Sequence, residues 1–100
     1  MTILPVDAAR FEMVKNALAS AAEEMKIVLA KTAYSPLLKA SGDYSCGIFN
    51  AAGNMVAQGP DLPIHLGSMP DVVRRVVAAF PDVTPDDVFI QNDPYQGGSH

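Results

Sequence analysis

The 100-residue sequence is poor in several residue types, and each shortage excludes a class of protein. It has no tryptophan and a single cysteine, Cys46, so an internal disulfide is impossible and a disulfide-stabilised secreted domain is excluded. The same cysteine count favours a reducing compartment, and we expect a cytoplasmic protein. Charged residues are only 18% of the chain, against 49% hydrophobic residues, which excludes an intrinsically disordered chain.

Basic charge and long apolar runs are also scarce. Seven Lys and Arg face 11 Asp and Glu, and residues 51–100 carry the whole net charge of −4. Nucleic-acid binding needs clustered basic residues, whereas the one adjacent pair, Arg74 and Arg75, is typical of a solvated helix face. The most apolar stretch, residues 17–30, is interrupted by three charged side chains, so it cannot span a bilayer. We expect neither nucleic acid nor a membrane as a partner.

Common catalytic motifs are missing as well. The sequence contains no G-x-x-x-x-G-K-[ST] phosphate loop, no G-x-S-x-G, no H-E-x-x-H and no C-x-x-C. ATP binding by a known loop is therefore not expected of this chain. Its length allows one domain at most, and the sequence stops at Gly-Gly-Ser-His without a closing helix or strand. We expect residues 1–100 to be the N-terminal part of a larger domain.

A long amphipathic helix is the first element that the sequence predicts. Asp7 is suited to the N-cap, and Pro36 restricts the residue before it, so the helix should end near Tyr34. Such a helix is about 38 Å long, at 1.5 Å per residue. Apolar or small residues recur at spacings of three and four and form one stripe, which comprises Phe11, Val14, Leu18, Ala21, Met25, Val28 and Thr32. We expect another part of the molecule or another subunit to cover this stripe.

A β-hairpin should follow the helix. Its strands are predicted at residues 43–49 and 55–58, and Gly53 with Asn54 can supply the positive φ of the turn. Strict alternation would place Asp43 and Ser45 on one face of the first strand. The opposite face carries Tyr44, Cys46 and Ile48, so Cys46 is interpreted as a small buried hydrophobic residue.

The second half of the chain predicts fewer elements. A stiff, irregular loop should cover residues 59–65, and a helix with a valine-rich buried side should run from about Pro70 to the break at Pro81. A short apolar strand is predicted at residues 88–90. Together the elements indicate an α+β fold, with α/β as the alternative.

The end of the sequence carries the most specific chemical signal. The predicted strand leads into Asn-Asp-Pro-Tyr-Gln-Gly-Gly-Ser-His, where glycines permit close backbone approach to a ligand and His100 offers an imidazole. A plain surface turn is the alternative. Asp43 is either a turn residue or the second half of a metal site with His100. A carboxylate and an imidazole suit Zn²⁺ or Mn²⁺, and a third ligand is then required.

His65 is the second histidine. A lone histidine between prolines is more often a packed, hydrogen-bonded residue than a functional one. As a functional residue, His65 would be a third metal ligand or a catalytic acid or base.

Several segments of the sequence, taken together and in order, resemble the N-terminal region of hydantoinase B-type subunits. This family includes N-methylhydantoinase, 5-oxoprolinase, caprolactamase and the acetone and acetophenone carboxylases. The matching segments are Glu-Met at 24–25, Lys-Thr-Ala-Tyr-Ser-Pro at 31–36, Asp-Tyr-Ser-Cys at 43–46, Val-Ala-Gln at 56–58, Leu-Pro-Ile-His-Leu-Gly-Ser-Met at 62–69 and Asn-Asp-Pro-Tyr-Gln-Gly-Gly-Ser-His at 92–100. The sequence departs from the family pattern at Ala40, where an acidic residue is common, and mildly at Asp86 and Ser99.

The resemblance implies an ATP-dependent, two-component enzyme that hydrolyses cyclic amides such as hydantoins, 5-oxoproline or lactams. An A-type partner subunit would bind ATP and Mg²⁺ and phosphorylate the substrate, and the B-type subunit would hold Zn²⁺ or Mn²⁺ in a hetero-oligomer. By the same resemblance, Asp43 and His100 are metal ligands, and His65 lies at the catalytic site. A carboxylase of the acetone type and a non-catalytic assembly segment are the two alternatives.

Overall fold

The structure is a computed structural model that describes residues 7–59 and 63–97. It begins with helix α1, Ala8–Thr32, as the stripe of apolar residues predicts. The side chain of Asp7 accepts a hydrogen bond from the Arg10 backbone N–H at 2.7 Å, which confirms the predicted N-cap. The helix ends two residues before the predicted Tyr34, because Ala33 is already extended while its N–H still bonds to the Leu29 carbonyl.

A short helix and the hairpin follow. Helix α2, Pro36–Lys39, has Ser35 as its N-cap and Pro36 at its start. Strands β1, Gly47–Phe49, and β2, Met55–Gln58, pair antiparallel with an irregularity after Ile48. Gly53 has φ +82° in the turn, as predicted. The first strand is shorter than expected, because residues 43–46 have no strand partner and run as irregular backbone.

The second long helix begins earlier than predicted. Helix α3 spans Pro63–Ala79, so Pro70 lies inside it and His65 is helical rather than part of a loop. Pro63 occupies the first helical position, where a proline is tolerated because its missing N–H would have no partner in the helix. Pro70 cannot donate a hydrogen bond to the preceding turn, at a cost of about 3 kcal/mol, and the flanking turns still remain helical. The end before Pro81 is confirmed.

The predicted strand at residues 88–90 is wrong. These residues are not hydrogen-bonded to another strand, and Val88 and Ile90 are 87% and 96% exposed. A strand exists only where a neighbour accepts and donates its backbone hydrogen bonds, and the two-stranded sheet consists of β1 and β2. The chain ends its described part with a 3₁₀ turn, Pro94–Gln96.

Helix α1 lies against the hairpin and α2, and the resulting architecture is α+β, as predicted. The fully or nearly buried side chains include Ala22, Cys46 and His65, so the predicted burial of Cys46 is confirmed. Val72, Val73 and Val76 are half-buried, as the predicted valine-rich side implies, whereas Phe80, just after the helix, is 53% exposed. In the described ranges, no helix is both long enough and apolar enough to cross a membrane.

Candidate functional site

A cleft of about 360 Å³ lies between the segment that precedes β1, helix α3 and the C-terminal segment. Its walls are mostly apolar surface, and they also carry a carboxylate, an imidazole, hydroxyls and amides. The polar residues are Asp43, Ser45, His65, Ser68, Gln91 and Asn92, and the apolar ones include Leu38, Met69 and Val72. A largely apolar cleft that holds one carboxylate and one imidazole is able to bind a small ligand with a polar group, or a cation.

Asp43 lies in the cleft, on a segment that several hydrogen bonds hold in place. Its backbone N–H donates to the Leu37 carbonyl at 3.1 Å, and the neighbouring Gly42 takes φ +66° to allow the change of direction. On the other side, the Tyr44 hydroxyl donates to the Lys26 carbonyl on α1 at 3.3 Å, and the Lys26 ammonium lies 5.6 Å from the centre of the Tyr44 ring. These contacts hold the backbone on both sides of the Asp43 carboxylate.

His65 is held in the first turn of α3. Its side chain is only 11% exposed, whereas the Asp43 carboxylate beside it is 37% exposed. The Nε2 atom of His65 lies 3.5 Å from Oδ1 of Asp43, a contact that joins residues 22 apart in the sequence. The histidine is therefore nearly covered, while the carboxylate next to it remains open to the cleft.

Ser45 contacts the other nitrogen of the same ring. Its Oγ atom lies 2.6 Å from Nδ1 of His65, a distance of a strong hydrogen bond. Asp43 and Ser45 thus contact the same imidazole from one segment of the chain. The sequence predicted that they share a face, although the segment is not a strand. The sequence pattern placed Ser45 beside Asp43 and gave no sign that His65 would be its partner.

The C-terminal segment closes one side of the cleft. The Gln91 side-chain amide donates to the Gln96 carbonyl at 2.8 Å, and Arg75 on α3 donates to the Gln96 side chain at 3.0 Å. Gly97 lines the cleft with φ +91°, and a Cβ atom at this position would lie 2.9 Å from Cγ2 of Val72. The absence of a side chain at Gly97 lets the backbone pass close to α3.

The structure brings together two of the three predicted site residues. Asp43 and His65 meet at the cleft, whereas His100 lies outside the described residues. Across residues 7–59 and 63–97, no group of three His, Cys, Asp or Glu side chains is placed to hold a metal ion. The sequence motifs gave no role to Gln91, whose position in the cleft follows from the path of the segment after Phe89.

The comparisons with known proteins agree with the motifs. Residues 7–100 match the family model of hydantoinase B/oxoprolinase. An uncharacterised protein of Methanocaldococcus jannaschii is 40% identical over 99 residues, which cover 95% of this chain and 18% of that protein.

Two relatives carry functional names. The beta subunit of caprolactamase from Pseudomonas jessenii is 38% identical over 96 residues, covering 95% of this chain and 16% of that subunit. The 5-oxoprolinase of Saccharomyces cerevisiae is 38% identical over 78 residues, covering 77% of this chain and 6% of the enzyme. This chain therefore spans less than a fifth of the length of these relatives. No significant match to a solved structure was found.

Proposed function

Since the chain belongs to the hydantoinase B/oxoprolinase family, we propose that it supplies part of the metal site of an ATP-dependent enzyme that hydrolyses cyclic amides. The names of the relatives, a caprolactamase subunit and a 5-oxoprolinase, support amide hydrolysis over carboxylation. The substrate class is then a small ring that contains an amide bond, such as a lactam, a hydantoin or 5-oxoproline.

One observation carries this proposal. The carboxylate of Asp43 and the imidazole of His65 meet at 3.5 Å in the cleft, although they come from separate elements. Both lie in segments that resemble family motifs. A buried imidazole beside a more exposed carboxylate is an arrangement typical of functional sites, since it presents one charged group to a ligand while a neighbour fixes its orientation.

Asp43 fits the role of a metal ligand. Its carboxylate is 37% exposed, so an oxygen can reach an ion in the cleft, and a carboxylate suits Zn²⁺ and Mn²⁺ alike. Three peptide bonds join Gly97 at the cleft to His100, which limits the distance between the two Cα atoms to about 11 Å. His100 would be the second ligand. When bound, the ion supplies Lewis-acid chemistry that makes water a nucleophile near neutral pH.

ATP would be bound elsewhere in the assembly. The chain has no G-x-x-x-x-G-K-[ST] loop, and the relative from Pseudomonas jessenii is named as a subunit. We assign ATP and Mg²⁺ to a hydantoinase A-type partner in a cytoplasmic hetero-oligomer. That partner would phosphorylate the amide oxygen, so that the carbon facing this cleft becomes a better electrophile.

The test is loss of metal and turnover in two variants of the full-length protein, assembled with its ATP-binding partner. We expect Asp43→Ala and His100→Ala each to lose the bound Zn²⁺ or Mn²⁺ and ATP-dependent ring opening, while the complex still elutes at its normal size. The control is Asp71→Ala, because the Asp71 side chain is 74% exposed and its ion-pair partner is Arg74. Metal content by mass spectrometry and product formation are the two measurements.

Two results would overturn the assignment. Full metal content and full activity in both variants would remove Asp43 and His100 from the site. If the wild type and both variants form an intact complex but bind no metal and have no activity, the non-catalytic assembly segment is favoured instead.

A further inference from the structure

The hydrogen bond between Ser45 and His65 determines more than the position of one ring. The His65 side chain is 11% exposed, so its contacts with other protein groups influence which ring nitrogen carries the proton. Ser45 lies 2.6 Å from Nδ1, and Asp43, two residues earlier on the same segment, lies 3.5 Å from Nε2. Side chains from one short segment therefore contact both nitrogens of the imidazole.

The two contacts are compatible with only one neutral form of the ring. An ionised carboxylate accepts hydrogen bonds and cannot donate them, so a lone pair on Nε2 would face the Asp43 oxygen unfavourably. Nε2 must therefore carry the proton. In the neutral ring Nδ1 is then the acceptor, and the Ser45 hydroxyl, which is able to donate or accept, donates to it.

We propose that Ser45 is a positioning residue that holds His65 in the Nε2–H tautomer, and that His65 in this form orients the Asp43 carboxylate toward the metal. The second half of this inference rests on the proposed function, since it requires Asp43 to be a ligand. His65 would engage one carboxylate oxygen and leave the other for the ion, as outer partners of metal-ligating groups commonly do. His65 then acts through Asp43 and does not touch the substrate.

The tautomer is measured directly in the metal-free, full-length protein. Histidine is labelled with nitrogen-15, and the spectrum is recorded with the ring neutral. We expect a protonated Nε2 and a bare Nδ1 for His65 in the wild type and in Ser45→Thr, which keeps the hydroxyl. In Ser45→Ala we expect a mixture of tautomers. Ser68→Ala is the matched control, because the Ser68 hydroxyl donates to the His65 backbone carbonyl and not to the ring.

Zinc affinity gives the second readout, by competition with a chromophoric chelator. Loss of an outer partner typically weakens metal binding by about 10–100-fold. We expect His65→Ala to fall in this range, Ser45→Ala to lose about 10-fold, and Ser45→Thr to regain most of the loss. Recovery of zinc affinity in Ser45→Thr would show that the hydroxyl group is what matters at this position. If Ser45→Ala fails to fold, the comparison of His65→Ala with the wild type still tests the proposal.

Three outcomes would overturn the proposal: an Nδ1–H tautomer in the wild type, a wild-type tautomer in Ser45→Ala, or wild-type zinc affinity in both Ser45→Ala and His65→Ala. Failure of the proposed function has a different signature. In that case Asp43→Ala binds zinc as tightly as the wild type, while the tautomer of His65 still depends on Ser45.

Discussion

At the scale of single residues, the cleft depends on two kinds of position. Asp43, Ser45 and His65 act through their side chains, which lie within hydrogen-bond or ion-pair distance of one another. Gly97 acts through the absence of a side chain, since its backbone at φ +91° passes against Val72. A substitution at Gly97 should therefore disturb the path of the chain toward His100.

We predict that Gly97→Ala lowers zinc affinity and stability together. A left-handed backbone costs an L-residue about 1–2 kcal/mol, and the new Cβ would meet Cγ2 of Val72 at 2.9 Å. Denaturant unfolding and chelator competition measure the two effects. The control is Gly53→Ala, which has φ +82° and places its Cβ 2.8 Å from Cγ of Arg74, at the hairpin turn and not in the cleft lining. Gly53→Ala should lose stability only; equal zinc affinity in both variants would contradict the prediction.

At the scale of elements, each helix is bounded by side chains that the sequence displays. Asp7 caps α1 and Ser35 caps α2 through hydrogen bonds to backbone N–H groups. The hairpin turn is organised by Asn50, whose side-chain oxygen accepts from the N–H groups of Ala52 and Asn54. Local chemistry of this kind is what a sequence encodes directly. The bounds of α1 and the hairpin turn were predicted to within a few residues, whereas α2 was not predicted.

Removal of the α1 cap gives a prediction at this scale. We expect Asp7→Ala to lower the free energy of unfolding by about 1 kcal/mol, because the first turn loses an acceptor for the Arg10 N–H. Asp7→Ser retains a capping oxygen and should restore most of the stability. Thermal unfolding of the three proteins measures the effect. An unchanged midpoint in Asp7→Ala would show that the first turn contributes nothing to the cooperative unit.

At the scale of the whole molecule, the apolar stripe of α1 is largely uncovered. Phe11, Val14, Met25 and Val28 are each between 44% and 58% exposed. An extended apolar surface of this kind is typical of an interface. The expectation that another part of the molecule or another subunit covers it stays a prediction.

A charge placed on the stripe tests this expectation in the full-length protein. We predict that Val28→Glu lowers the melting temperature or dissociates the assembly, because a buried carboxylate without a partner is strongly unfavourable. Lys15→Glu is the control, since the Lys15 side chain is 61% exposed and its contact with Glu12 is a surface ion pair. Calorimetry and size-exclusion chromatography report the two effects. If Val28→Glu matched the control in both, the stripe would be solvent-exposed in the assembled protein.

The elements that have local causes could be predicted from the amino-acid sequence. A capping aspartate, a three-and-four spacing and a glycine turn predicted α1 and the hairpin, and contiguous motifs predicted the family. The errors have non-local causes. Whether α3 begins at Pro63 or Pro70 depends on what the two extra turns contact. Within the described part of the chain, residues 88–90 have no neighbouring strand.

The contacts at the cleft depend on how distant elements pack, so they could not be predicted from the sequence. The sequence analysis identified Asp43 and His65 as separate candidates and predicted a loop at His65. In the fold, His65 belongs to α3 and lies 3.5 Å from Asp43. The role of Ser45 could not be predicted either, because a serine in such a segment has many possible local partners. Its contact with an imidazole 20 residues away depends on how α3 packs. The sequence gives the chemistry of each side chain, but the packing of the helices and strands that hold two side chains sets the distance between them.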